Sequence, residues 1–187
     1  MIRVLKYVIL DILKNKIVLA YAIILSLFSW SAFGLEDNAT KGLLTLLNII
    51  LLIVPLVSIL FSTIYIYNCS EFIELLASHP VRRGAIWKAL FAGLAISLSA
   101  AFLIGAGIPI LIFATWKLAL TMILTGVLLS IVFVALAFLS GILSRDKAKG
   151  IGISILLWLY FALLFDALVL FLLFQFGDYP IEKNVVI

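Results

Sequence analysis

The chain has 187 residues, 66% of them hydrophobic, against roughly 45–50% apolar usage in soluble domains, and its mean hydropathy is +1.36. That excess excludes an ordinary water-soluble globule, because no core of this size hides so much apolar surface. The net charge of +4 does not indicate nucleic acid, since the 13 basic residues sit in short clusters between apolar blocks, and one cysteine, Cys69, excludes an intrachain disulfide framework.

In chain order, residues 1–16 come first, with Ile2, Leu5, Ile9, Ile12 and Leu13 on one helical face and Arg3, Lys6 and Lys14 largely elsewhere. This pattern predicts an amphipathic helix lying in the lipid headgroup region; a plain extension of the first span, its lysines only enforcing topology, is the other reading. A cleaved signal peptide fits less well. The basic lead is long and amphipathic, no A-x-A site follows, and four more apolar blocks call for a membrane.

Five blocks then follow at residues 17–35, 42–70, 89–116, 118–144 and 150–177. About 20 apolar residues cross a hydrocarbon core of about 30 Å, so each block is long enough to span, and the longer ones tilt or project. Arg3, Lys6, Lys14 and Lys16 precede the first block, Arg82, Arg83 and Lys88 lie between the second and third, and Arg145, Lys147 and Lys149 lie between the fourth and fifth. Lys41, Lys117 and Lys183 occupy the alternate segments. Positive charge is retained on the cytoplasmic side, so the N-terminus is expected in the cytoplasm of a cell whose inner membrane holds the protein. An odd number of spans places the tail, residues 175–187, outside.

The second block carries Pro55 in mid-span, a candidate kink. The third carries Ala89, Gly93, Ser97, Ala101 and Gly105 at a strict spacing of four, a smooth face for close backbone approach in lipid. Packing inside the bundle is favoured for it over a dimer seam or a substrate path. Pro109 continues the same face, where it kinks or ends the helix. Asp166 is the one acid deep in a block. An ionisable group there costs several kcal/mol unless paired, hydrated or neutral, so it either faces a substrate path or bonds a neighbouring helix.

Between the second and third blocks, residues 71–78 have a helical pattern with Phe72, Leu75 and Leu76 on one side, and His79-Pro80 ends the run. The segment suits docking in a groove on a cytoplasmic partner; an interfacial loop whose leucines dip into lipid is the alternative. Glu71, the Glu74-Leu75-Leu76 run, Ser78, Pro80-Val81, Arg82-Arg83 and Lys88 resemble the E…ELL.s.Pv.R…K signature of ABC-2 type transporter permeases. Within that group the chain is most similar to the NosY-like membrane subunits of nitrous oxide reductase maturation transporters. The resemblance covers essentially the whole chain, but only the stretch from Glu71 to Lys88 is specific.

The resemblance implies an all-α, polytopic transmembrane helix bundle with a leading helix along the inner membrane surface and a short cytoplasmic coupling helix at 71–83. It implies that Glu71, Glu74, Leu75, Leu76, Pro80, Arg82 and Arg83 engage a separate ABC ATPase subunit, and that a second copy of the permease completes the pathway. Export is the implied direction. Two departures stand out: Phe72-Ile73 replaces the glycine that many members carry before the second acid, and five spans stand where six are usual. The chain is therefore read as C-terminally truncated rather than as a genuine five-span protein.

There is no G-x-x-x-x-G-K-[ST] phosphate loop, so ATP hydrolysis is assigned to another chain. His79 and Cys69 are the only histidine and cysteine, too few for a metal cage, so no metal site and no cofactor are expected and a copper conduit of soft ligands is disfavoured. An intramembrane enzyme is disfavoured for want of a nucleophile–base pair or a second acid beside Asp166. A non-transporting membrane scaffold remains the alternative to a permease.

Overall fold

A computed structural model of the chain describes residues 2–35, 39–69, 83–144 and 146–164, together with Ala167 and Phe171. Among the described residues there is no strand. Helix α1 is Ile2–Leu13, α2 Lys16–Leu35 and α3 Ala39–Asn68. Helix α4, Arg83–Phe102, runs through a π-helical turn, Leu103–Gly107, into α5, Ile108–Phe113; α6 is Trp116–Leu143, and α7, Lys147–Leu159, ends in a second π turn, Tyr160–Leu164. Four stretches are long and apolar enough to cross a membrane: Lys16–Leu35, Lys41–Asn68, Gly84–Phe113 and Trp116–Leu143.

These match the first four blocks read from the sequence, with one shift. The third begins near Gly84 rather than at Ala89, because the helix takes in Ala85 to Lys88 before its apolar run. The fifth block is described only as α7 and its π turn; Asp166 and the segment 175–187 lie outside the described residues.

The buried core is apolar but holds many small hydroxyl residues, and much of the outer surface is apolar as well. Ser29, Ser58, Ser62, Thr63, Ser97, Ser130, Ser140 and Ser154 are fully buried, while Ile23, Leu27, Leu44, Leu124 and Ile142 are exposed. In water that would waste the hydrophobic effect, but in lipid exposed leucines cost nothing and small hydroxyl residues let helices approach. Ser29 and Ser130 each donate to the carbonyl four residues back, Leu25 and Gly126, at 2.7 and 3.0 Å, which satisfies a buried hydroxyl within its own helix.

One hydroxyl cluster joins three helices. Thr63 Oγ1 of α3 lies 3.2 Å from Ser140 Oγ of α6 and 2.7 Å from Ser154 Oγ of α7, and the two serine oxygens are 2.7 Å apart. Ser140 and Ser154 also reach the carbonyls of Ala137 and Gly150. Interhelical hydroxyl bonds in membranes average about 0.6 kcal/mol and reach about 1.7. Thr63→Val is therefore expected to lower stability by about 1 kcal/mol in detergent unfolding. Ser58, buried without a hydrogen-bond partner, serves as the contrast: Ser58→Ala is expected to be neutral or stabilising, because it removes an unsatisfied group.

The small-residue stripe packs inside the bundle. A Cβ added at Gly93 would lie 2.5 Å from Val8 Cγ1 of α1, and one at Gly105 would lie 2.7 Å from the Ala22 carbonyl oxygen of α2. Ala89, Ser97 and Ala101 are buried on the same face. Pro109 does not end the helix. It follows the π turn, whose widened register places Gly105 against α2, and the chain stays helical to Phe113. Pro55 likewise sits within a continuous α3.

Helix α1 buries one edge of the face expected of it. Ile12 and Val8 are fully enclosed, with Val8 packed on Gly93 of α4, and Leu5, Ile9 and Leu13 on the same arc are half-buried. Hydrophobicity alone does not say which edge of one apolar face meets protein.

Candidate functional site: the stems of the connecting segment and a groove at Pro55

Residues 70–82 join the end of α3 to the start of α4 in the sequence and lie outside the described residues. Of the residues proposed to couple to an ATPase, Glu71, Glu74, Leu75, Leu76, Pro80 and Arg82 lie outside the described residues, and Arg83 is the first residue of α4. What the structure shows is how the two stems are held.

The last turn of α3 is fixed from two sides by polar contacts. Tyr65 Oη donates to Asp11 Oδ2 of α1 at 2.9 Å. On the other side Tyr67 Oη donates to the Ser144 carbonyl at 2.7 Å, and Lys147 Nζ donates to Asn68 Oδ1 at 2.8 Å. The corner between α6 and α7 is itself ordered. Asp146 caps α7 by accepting from the Ala148 N–H at 3.1 Å, and the Asp146 N–H bonds Ser144 Oγ at 3.2 Å; an acid at a helix N-terminus satisfies one orphan N–H and favours the dipole. Gly150 lets α7 approach α3, since any Cβ there would run into the Tyr67 ring.

The first turns of α4 are held by apolar contacts. Trp87 and Phe91 meet Phe138 of α6 edge to face, with ring centroids 5.8 and 5.5 Å apart. At the opposite end of the bundle Trp30 and Phe33 of α2 pack on Phe113, and Trp116 is exposed beside them in the chain turn. Aromatic groups at both ends of apolar helices mark the two interfaces of a bilayer.

Among the described residues a groove of about 560 Å³ lies between α3, α6 and the second π turn, lined by Asn48, Leu51, Leu52, Pro55, Leu129, Val132, Phe133, Phe161 and Ala162. Pro55 has no N–H, so the Leu51 carbonyl four residues back loses its helical donor. One turn above it, exposed Asn48 presents a side-chain amide to the same groove. Trp158 Nε1 donates to the neighbouring Leu52 carbonyl at 3.3 Å, and Phe133 meets Phe161 edge to face. The groove thus offers an amide and a freed carbonyl between aromatic and aliphatic walls. Such a surface suits a small, largely apolar molecule with one or two polar atoms.

Sequence reasoning singled out Pro55 and missed Asn48, although an amide in the interior of a 28-residue apolar span is a signal of its own kind. It also passed over Asp11, the single acid of a basic helix. Asp166, the residue proposed for a substrate path, lies four positions after Ala162 in the sequence. No family model matches the chain, and no curated protein matches it in sequence.

Proposed function

We propose that the chain is the membrane subunit of an ATP-driven exporter of the ABC-2 type, energised by a separate cytoplasmic ATPase and working beside a second copy of itself. The N-terminus lies in the cytoplasm of a cell whose inner membrane the protein crosses, with residues 150–177 as a fifth span. The observation that carries this reading is the fixed geometry of the two stems. Helix α3, whose end precedes the segment with the Glu71…Glu74-Leu75-Leu76…Pro80…Arg82-Arg83 pattern in the sequence, is bonded there to Asp11 of α1 and to Lys147 at the start of α7. A segment that receives force from a partner needs stems bonded to the helices it is to move.

Cargo passes along the groove at Pro55; Asp166, proposed for a substrate path from the sequence, lies outside the described residues. The cargo is a small molecule with an apolar body, consistent with a sulfur-containing species for metal-centre maturation in the manner of the NosY-like subunits. The decisive experiment is a pull-down with the cognate ATPase. Glu71→Lys, which reverses a charge on the docking segment, is expected to reduce retained ATPase by about ten-fold or more, since breaking one desolvated charged contact costs about 2–5 kcal/mol. Retention equal to the wild type removes the segment from the coupling role and leaves the scaffold reading in its place.

A further inference from the structure

Helix α1 touches both stems of segment 70–82, and it does so by different chemistry on each. Toward α3 the contact is the Tyr65–Asp11 hydrogen bond, 2.9 Å long, between residues 54 positions apart. Toward α4 it is van der Waals contact: Val8 lies so close over Gly93 that no Cβ fits between them. The two stems make few direct contacts, and α1 meets α3 through little besides this bond, whereas α4 packs extensively on α1. Helix α6 also bridges them, through Phe138 under Trp87 and Phe91, but α6 is an integral span. Helix α1 is seated on the bundle by buried Val8 and Ile12, with Lys6, Tyr7, Leu10, Asp11 and Lys14 exposed along its outer side, so the polar bond to α3 is the bridge that can open.

Asp11 is the part of this arrangement that packing does not explain. Every other charged residue of α1 is basic, as an interfacial helix on an anionic surface requires. An acid there weakens attraction to the surface, and it is placed where its carboxylate accepts a phenolic hydrogen. A bond of this kind is roughly twice as strong as a neutral one. Tyr65 in turn stands one helical turn before Cys69, the last described residue before the segment.

We propose that α1 is a latch across the two stems, closed by the Asp11–Tyr65 bond and seated by Val8 on Gly93, and that Asp11 and Tyr65 are positioning residues for segment 70–82. With the latch closed, α3 and α4 move together when the segment is pushed. With it open, the α3 stem keeps its packing on α6 and α7 but loses its bond to α1, and displacement of the segment is no longer passed from α3 through α1 to α4. The latch itself is a property of the chain alone; its consequence for coupling rests on the transporter reading.

The test has two arms on the full-length protein in lipid nanodiscs. In the first, hydrogen exchange is followed without any ATPase at backbone amides 64–69. Tyr65→Phe and Asp11→Ala are expected to accelerate exchange there by about ten-fold, the size set by one hydrogen bond to a charged group. Asp11→Asn keeps an acceptor oxygen and retains most of the protection, and Lys14→Ala, on the exposed side of α1, leaves exchange unchanged. Wild-type exchange in both Tyr65→Phe and Asp11→Ala overturns the latch. In the second arm the cognate ATPase is added. Tyr65→Phe is expected to retain the ATPase as the wild type does while substrate moved per ATP hydrolysed falls several-fold, a split that general damage to the fold would not give. Faster exchange with unchanged coupling overturns the positioning role. If the wild-type chain itself retains no ATPase, the transporter reading fails, and the exchange arm alone still decides the latch.

Discussion

Gly105→Ala is expected to destabilise the bundle by about 2–3 kcal/mol, the upper part of the range for forcing a methyl group into a packed interface. The added Cβ would stand 2.7 Å from the Ala22 carbonyl oxygen, 3.0 Å from Leu25 Cβ and 3.3 Å from Ala22 Cα. Two of those three atoms are backbone and the third is a Cβ, so no side-chain rotation relieves the contact. Helix α2 has to move away from the π turn, and the dispersion contacts along that face weaken together. In a membrane nothing replaces them, because apolar surface released to lipid is not driven back. Unfolding in mixed detergent, followed by tryptophan fluorescence, reads the shift. Gly107→Ala provides the control two residues on: its Cβ would meet only Leu103 side-chain atoms at 3.5 and 3.7 Å. Ordinary contact plus the helical preference of alanine makes that change neutral or stabilising by a few tenths of a kcal/mol. Equal effects at the two positions would show that the π turn does not seat α2.

The contrast between Gly105 and Gly107 also shows where sequence reading of this chain stops. The spacing of four from Ala89 to Gly105 identified a face, and internal packing of that face is what the structure shows. Period alone could not say that the near half of the stripe meets α1 through Val8 and the far half meets α2 through Ala22, because a helix face carries no label for its partner. Helix α1 illustrates the same limit. Residue type separated its basic side from its apolar side, but in a bilayer the apolar residues serve lipid and protein alike, so Val8 passed unnoticed among the leucines and isoleucines.

Hydroxyl residues were the more informative class. Thr63, Ser140 and Ser154 are separated by 77 and 14 positions, and nothing local links them, yet all three are fully buried and bond across helices, whereas Thr121 and Thr125, nearer the surface, bond the carbonyl four residues back. The basic residues carried a second meaning as well. Lys147 belongs to a basic cluster from which the sequence reading expects a cytoplasmic corner, and in the fold its ammonium group binds Asn68 at the end of α3. Charge counting could not find that bond, which depends on where α7 starts relative to α3. The groove was half legible: Pro55 announced a missing hydrogen-bond donor, while its walls come from Leu129 and Phe133 on α6 and Phe161 beyond α7, which only tertiary packing assembles.

Gly126 on α6 tests the bundle at its other close approach. A Cβ at this position would fall on the ring of Phe102, whose three nearest atoms all belong to the ring, and Phe102 is itself fully buried. A surface side chain would swing aside, but this ring is enclosed, so Gly126→Ala forces either an unfavourable rotamer or a separation of α4 from α6. The expected cost is about 1–3 kcal/mol. Unlike the clash at Gly105, this one is with a side chain and can be relieved by a second substitution. Phe102→Leu alone removes ring volume over a glycine and leaves a cavity, with a cost of its own that scales with the space left empty. Combined with Gly126→Ala, the smaller side chain faces the larger one and the cavity is partly filled. The double variant is expected to be more stable than the sum of the two single changes predicts, by about 1 kcal/mol or more, which is the coupling expected of residues in direct contact. Detergent unfolding of all four proteins gives the cycle. Strict additivity would show that Gly126 is not the notch into which the Phe102 ring fits, and that α4 and α6 are held together mainly by the Phe138 contacts nearer the connecting segment.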